Sequence, residues 1–285
     1  MAFKLFNRNP NQTEMSFIEH LEALRWHIVR SVLAIVIIAV VVFLKMDWIF
    51  ENIITGPLHS NFVSYTWLCK IGHRMHMGDA LCLQSIDKLK LQTTTFGSQF
   101  ISSITIAFVC GFIIAFPYVF WEFWRFVRPA LSQKELKSSR GAIFWVTFFF
   151  LLGIAFGYFL LAPFTFSFLW NYRLGFTGLL ETRPTLDDYL DNLVDILVGS
   201  GIAFQLPLIS YVLTRIGLIT PAFLRTYRKY AYVAILFVAA IITPSPDWMS
   251  QAIVATPLIL LYEISIRISV RVTKQREKRD KEEWG

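Results

Sequence analysis

Residues 31–44 read SVLAIVIIAVVVFL, fourteen positions with no charge and, after Ser31, no polar side chain. Extended to 26–47, the run is long enough to cross a hydrocarbon layer of about 30 Å as a helix rising about 1.5 Å per residue. Five more apolar runs follow, over 94–121, 141–170, 193–214, 230–244 and 249–266. The last two are short: the fifth is ended by the Pro-rich stretch TPSP and the sixth carries Glu263. Runs of that length reach only about 25 Å, so they call for thinner lipid or shielding neighbours. The composition agrees, with 55% of the 285 residues hydrophobic and only 16% charged. Soluble domains carry about 25% charge. These patterns predict an all-α membrane protein of six transmembrane helices, one domain spanning 1–285 with a charged tail at 274–285. The first run starts late and lacks a small-residue cleavage site, so a removable signal peptide is not expected.

Orientation follows from where Lys and Arg fall. With the amino end in the cytoplasm, 20 of the 27 basic residues lie in inner segments, which places both termini inside. The net charge of +7 then belongs to loops and tail. Nucleic-acid binding is not expected, because the aromatics sit in the apolar runs and are not interleaved with Lys and Arg. No Gly-rich phosphate loop with a following Lys is present, so the chain is not expected to be an enzyme hydrolysing nucleotide, and no cofactor or resident metal is implied. All five histidines precede the second run, which argues against intramembrane Ser/His or zinc proteolysis. Convincing internal repeats, direct or inverted, are absent.

Several residues ask for chemistry. Gln205 lies in the middle of the fourth run, where an amide needs a hydrogen bond or a watery cavity. It suits either an interhelical hydrogen bond or a polar contact for a partner segment. Glu122 and Glu263 fall at the inner ends of their runs, where a side chain can snorkel, and an interfacial structural role is expected of both. Gly153 and Gly157 form a GxxxG suited to close helix packing. The first inner loop sets Phe126 and Glu135 among five basic residues, and Glu19 and Glu22 share a helical face before the first run. Two such carboxylate sites on one membrane face could hold paired guanidinium groups, since Arg offers planar bidentate hydrogen bonds to carboxylate. In the first outer loop Cys69, His73, His76 and Cys82 admit a disulfide, free thiols or a soft metal site. A Cys69–Cys82 disulfide is the simplest in an oxidising compartment, worth up to about 3 kcal/mol by chain entropy.

The stretches HLEALRWHIVRS (20–31), GPL (56–58), FWRFVRPALSQKE (123–135), AFQLP (203–207), ITPSPD (242–247) and LLYEIS (260–265) carry a family resemblance. In order and spacing over nearly the whole chain they resemble TatC, the multi-spanning subunit of the twin-arginine (Sec-independent) protein translocase. The resemblance implies a concave, glove-shaped six-helix bundle in the bacterial inner membrane. Its cytoplasmic face would receive the paired arginines of signal peptides on folded cargo. Single-span TatA- and TatB-type proteins would be partners, lipid and self-association would complete its contacts, and the proton-motive force would drive transport. By the same resemblance Glu135 contacts the twin arginines and Phe126 is its aromatic neighbour, with Glu22 and Arg25 in the same signal-peptide site. Pro57 and Asp247 match sensitive positions of the outer loops. The family glutamate of the first motif is replaced by Ala23, with Glu22 one residue earlier, so Glu22 substitutes for it only if the segment frays. Gln205 stands where the family commonly has glutamate, which keeps a polar group and argues against an obligatory proton carrier. A proton-coupled solute transporter would need several facing intramembrane charges, which the runs do not supply. A passive scaffold would leave Glu135 free to change.

Overall fold

The computed structural model describes residues 17–59, 61–74, 82, 90–127, 141–172, 183–243 and 248–284. Among them the chain is helical apart from connections and one isolated β-bridge between Gln92 and Thr185. In order the helices are α1 (Phe17–Leu44), α2 (Met46–Ile49), α3 (Val63–Arg74), α4 (Ser98–Val127), α5 (Ala142–Phe156) and α6 (Ala162–Asn171). Then come α7 (Leu186–Ala203), α8 (Leu206–Ile216), α9 (Pro221–Thr226), α10 (Arg228–Ile242) and α11 (Trp248–Trp284). Five segments are long and apolar enough to cross a membrane: His20–Leu44, Ser98–Val127, Ile143–Asn171, Leu186–Thr214 and Gln251–Gln275. The sixth apolar segment is α10, with 15 residues. The protein is therefore an all-α membrane protein. The last run does not stop near Ile266: its helix continues to Trp284 and carries an apolar span of 25 residues, so α10 alone is short.

Local chemistry sets where the helices break. Pro207 has no N–H to give the carbonyl of Ala203 and its ring would clash there, so the fourth span bends at Phe204 and Gln205 before α8 begins. Thr185 caps α7 by accepting from the Asp188 backbone N–H, and Asp187 and Asp188 favour the positive end of the helix dipole. Gly217 closes α8 with φ 88°, where the N–H groups of Gly217 and Leu218 return to Thr214 and Leu213. Thr220 then caps α9, with Pro221 at its first position.

The bundle is held by two close crossings and an apolar centre. Antiparallel α1 and α4 meet at Ala39, Ala107 and Gly111, where a Cβ added at Gly111 would lie 3.1 Å from the Ala39 backbone. Gly153 of α5 faces Gly201 of α7, and Gly157, in the wide turn Gly157–Leu161 after α5, approaches Ser200 and Ile196. That is the GxxxG packing role: small residues let backbones approach where lipid offers no hydrophobic drive for association. Leu161, Ile196, Phe204, Ile235, Val254 and Leu258 fill the centre between α7, α10 and α11. Side chains such as Leu33, Ile37 and Val41 on α1 and Phe237 and Ile241 on α10 face outward, as lipid contact permits.

The end of the bundle where α1 stops and α4 starts is closed by the segment after α2. Phe50–Ile54 is a π-turn and Gly56–Leu58 a 3-10 turn, and both free carbonyls that helical pairing would have used. Tyrosine hydroxyls supply the missing donors: Tyr158 to the Ile53 carbonyl at 2.6 Å, Tyr189 to Ile54 at 2.5 Å and Tyr65 to Pro57 at 2.8 Å. Pro57 is therefore buried structural material under α3.

Gly153→Leu should lower stability by about 1–3 kcal/mol, because a Cβ there already meets the Ser200 carbonyl at 2.6 Å. Thermal unfolding of the detergent-solubilised protein reads this directly. A midpoint equal to wild type would mean that α5 and α7 do not cross this closely.

Candidate functional site

The antiparallel pairing of α1 and α4 brings the first motif against the end of α4. His20 and His27, two turns apart on α1, face Phe126 and Glu122, one turn apart on α4. The His20 ring stacks on Phe126 at 4.3 Å between centroids, and His27 meets the same ring edge-on at 6.1 Å. His27 Nδ1 lies 2.5 Å from Glu122 Oε2 and donates to it.

Glu122 does not snorkel: only 1% of it is exposed. Besides His27, it accepts from Tyr118 Oη at 3.1 Å and from Arg125 Nη1 at 3.3 Å, and Arg30 Nη1 stands 3.9 Å away. Arg125 also lies over the Trp121 ring at 4.9 Å. Burial of a lone carboxylate would be costly, and two guanidinium groups, an imidazole and a phenol offset that cost. No sequence signal pairs His27 with Glu122, because they are 95 positions apart. Glu263 behaves more as expected, half-exposed and joined to Arg228 Nε at 2.9 Å and Tyr232 Oη at 2.6 Å.

Glu22 and Arg25 are exposed. Glu22 is two residues after His20, about 200° around the helix, so it looks away from α4. The segment is continuous helix from Phe17 and does not fray, so the offset between Glu22 and Ala23 stands. Phe126 and the histidines of the first motif are thus brought together, whereas Glu22 and Arg25 occupy the opposite face of α1. Glu135 and Asp247 lie outside the described residues.

Gln205 is half-buried at the break between α7 and α8. Its Nε2 donates across to the Val146 carbonyl of α5 at 3.3 Å and back to Gly201 at 3.5 Å, both long bonds. Where α4 and α7 start, Ser98 Oγ stands 2.8 Å from both carboxylate oxygens of Asp187, and Ser102 donates to Oδ1 at 2.9 Å, tying α4 to α7. An open cavity of about 590 Å³ lies beside this contact, lined by Asp47, Glu51, His59, Gln99 and Ser103 among others. Cys69 on α3 and Cys82 are joined by a disulfide with their Cα atoms 4.2 Å apart.

The family model described as "Sec-independent protein translocase protein (TatC)" matches residues 19–257. The chain belongs to the TatC family. A TatC protein of Blattabacterium sp. subsp. Periplaneta americana (strain BPLAN) is 38% identical over 265 residues, covering 93% of this chain and 98% of that one. A TatC protein of Aquifex aeolicus (strain VF5) is 33% identical over 264 residues, covering 92% and 98%. Two solved structures described as the twin-arginine translocase receptor TatC superpose on the chain. One has a TM-score of 0.65 at 32% identity, covering 89% of this chain and 99% of the other. The second, in DDM, gives 0.67 at 33%, covering 88% and 99%. The TatC fold therefore extends over nearly the whole chain, and the relatives are named as components of protein transport and not as enzymes.

Within this TatC chain Glu122 is the residue that sequence reasoning undervalued. Glu122→Ala should cost about 3–5 kcal/mol, since it strands two guanidinium groups and His27 without their acceptor. A double-mutant cycle with His27→Ala, read by thermal or denaturant unfolding in detergent, should give a coupling of at least about 1 kcal/mol. Additive losses would show that the pair contributes nothing beyond its separate packing.

Proposed function

We propose that this protein is the receptor subunit of a twin-arginine translocase. It binds Arg-Arg signal peptides at its cytoplasmic face, with both termini on that side. With TatA- and TatB-type single-span partners it exports folded proteins across the bacterial inner membrane at the expense of the proton-motive force. The observation that carries the reading is the match to TatC over residues 19–257. It is supported by the excess of Lys and Arg on the segments assigned to the cytoplasm. It is also supported by the convergence of Phe126 with His20 of the first motif at one end of the bundle.

In this reading Glu135 is the main acceptor for the paired guanidinium groups and Phe126 provides the apolar surface beside it. The exposed Glu22 and Arg25 lie on the water-facing side of α1, where Glu22 offers a second acceptor and Arg25 a contact to the signal backbone. Gln205 serves a partner segment reaching the break between α7 and α8, and Pro57 and Asp247 belong to the outer loops that support it.

The test is site-directed crosslinking of the detergent-purified protein to a twin-arginine signal peptide and to a twin-lysine control. Arg-Arg should be preferred, and Glu135→Ala should reduce its binding roughly 10- to 150-fold, the worth of hydrogen bonds to a charged group. Glu22→Ala should act more weakly, by about fivefold or less, because an exposed ion pair is screened by water. Equal capture of both peptides, with neither substitution mattering, would end the receptor reading.

A further inference from the structure

The outer-loop cluster of Cys69, His73 and Cys82 takes no part in the proposed signal-peptide recognition. Cys69 and His73 are one helical turn apart on α3, so both side chains leave the same face. The helix is a firm base, with Leu68 and Tyr65 buried beneath it and the Tyr65 hydroxyl bound to the Pro57 carbonyl. His73 Nδ1 stands 3.7 Å from Cys69 Sγ and 3.8 Å from Cys82 Sγ. The three ligand atoms lie within 4.8 Å of one another.

Those two distances have a specific chemical meaning. With Zn–S of about 2.3 Å and Zn–N of about 2.0–2.1 Å, a tetrahedral centre sets sulfur and nitrogen about 3.6 Å apart. Two of the three edges of such a site are therefore already formed around His73. Only the edge between the sulfurs differs, and it must open to about 3.8 Å once the disulfide is broken. We propose that the reduced cluster is a site for a thiophilic d10 cation of the Zn²⁺ class, held by both sulfurs and the His73 imidazole. The loop is then clipped to α3 in either redox state, by a covalent bond when oxidised and by metal when reduced.

The chemistry balances with a dithiol as reductant. Its two thiols become a disulfide, while two electrons and two protons pass to the sulfurs of Cys69 and Cys82. Zn²⁺ then displaces the two thiol protons to solvent, giving two thiolate ligands. His73 Nδ1, which sits 2.9 Å from the Cys69 carbonyl oxygen, exchanges that hydrogen bond for the metal and carries its proton on Nε2. The fourth position is open to water, since His73 is exposed.

The experiment uses the full chain in detergent without a polyhistidine tag, in a Cys110→Ser background so that no third thiol competes. Oxidised protein, and protein reduced with a phosphine that is then removed under inert gas, are dialysed against equal Zn²⁺ and their metal content measured. The reduced chain should retain about one zinc and the oxidised chain none. Cys69→Ser or Cys82→Ser should abolish retention. His73→Ala should weaken it by roughly tenfold or more, because even outer-shell partners of zinc ligands cost that much. Equal retention by oxidised and reduced chains, retention by either Cys→Ser variant, or His73→Ala binding as tightly as wild type would each overturn the proposal.

Discussion

Hydrocarbon offers no water to a freed backbone group, so every departure from helix inside this protein must be met by another part of the protein. The chain departs from regular helix in two places that matter for its shape. At the end where α1 stops, the π-turn and 3-10 turn after α2 expose carbonyls, and the hydroxyls of Tyr158, Tyr189 and Tyr65 reach them from the turn after α5, from α7 and from α3. In the fourth span Pro207 breaks the ladder, and the half-buried amide of Gln205 bonds across to α5 at that level. Phenols and amides suit this work, because each brings a polar tip on a body that packs against apolar neighbours. The end where α1 stops is consequently cross-braced by side chains from distant segments, although little regular hydrogen bonding holds it.

Where α1 begins and α4 ends, the same constraint is met with charge. A carboxylate as buried as Glu122 is tolerated only where cations and donors surround it, and His27, Arg30, Arg125 and Tyr118 do so. The residues that satisfy Glu122 come from both helices, so the pair cannot slide without stranding a charge. Phe126 is one turn beyond Glu122 and is gripped by His20, so its position is inherited from the buried network. A recognition surface placed there is preorganised by the fold, which lowers the ordering cost of binding. Glu22 and Arg25 contribute nothing to this seam and are correspondingly free to meet a ligand.

The apolar runs were legible because hydropathy is a local property that needs no knowledge of neighbours. Their ends were less so. The helix that carries the fourth apolar run starts at Leu186, ahead of that run, since Thr185 caps it and the acids of its first turn favour its dipole. The last helix extends beyond Ile266 because residues 267–284 contain neither Pro nor Gly to break it, whereas hydropathy stops reporting where Arg267 and Arg271 begin. The burial of Glu122 was not legible, because its partner His27 is 95 residues away and only the fold brings the two together. Gly153 and Gly157 were readable since small residues at helical spacing have one ready use in a membrane. The tyrosine clamps carried no sequence pattern at all, because a hydroxyl bound to a backbone carbonyl leaves no mark on the identity of the acceptor residue.

The short α10 draws these threads into a statement about the membrane. Fifteen residues rise only about 22 Å against a hydrocarbon layer of about 30 Å. A helix that is too long can tilt, but tilting makes a short one span less. Nor is α10 free to shift along its neighbour: Arg228 is fixed to Glu263 near one end, and the Leu236 carbonyl accepts from Gln251 at 3.1 Å further along. Its exposed stripe of Tyr230, Val233, Phe237 and Ile241 still requires apolar surroundings over its whole height. A helix held in this way cannot absorb a mismatch by shifting, so a bilayer around it would have to meet the shortfall by thinning, by snorkelling of flanking residues such as Lys229, or by a shielding neighbour.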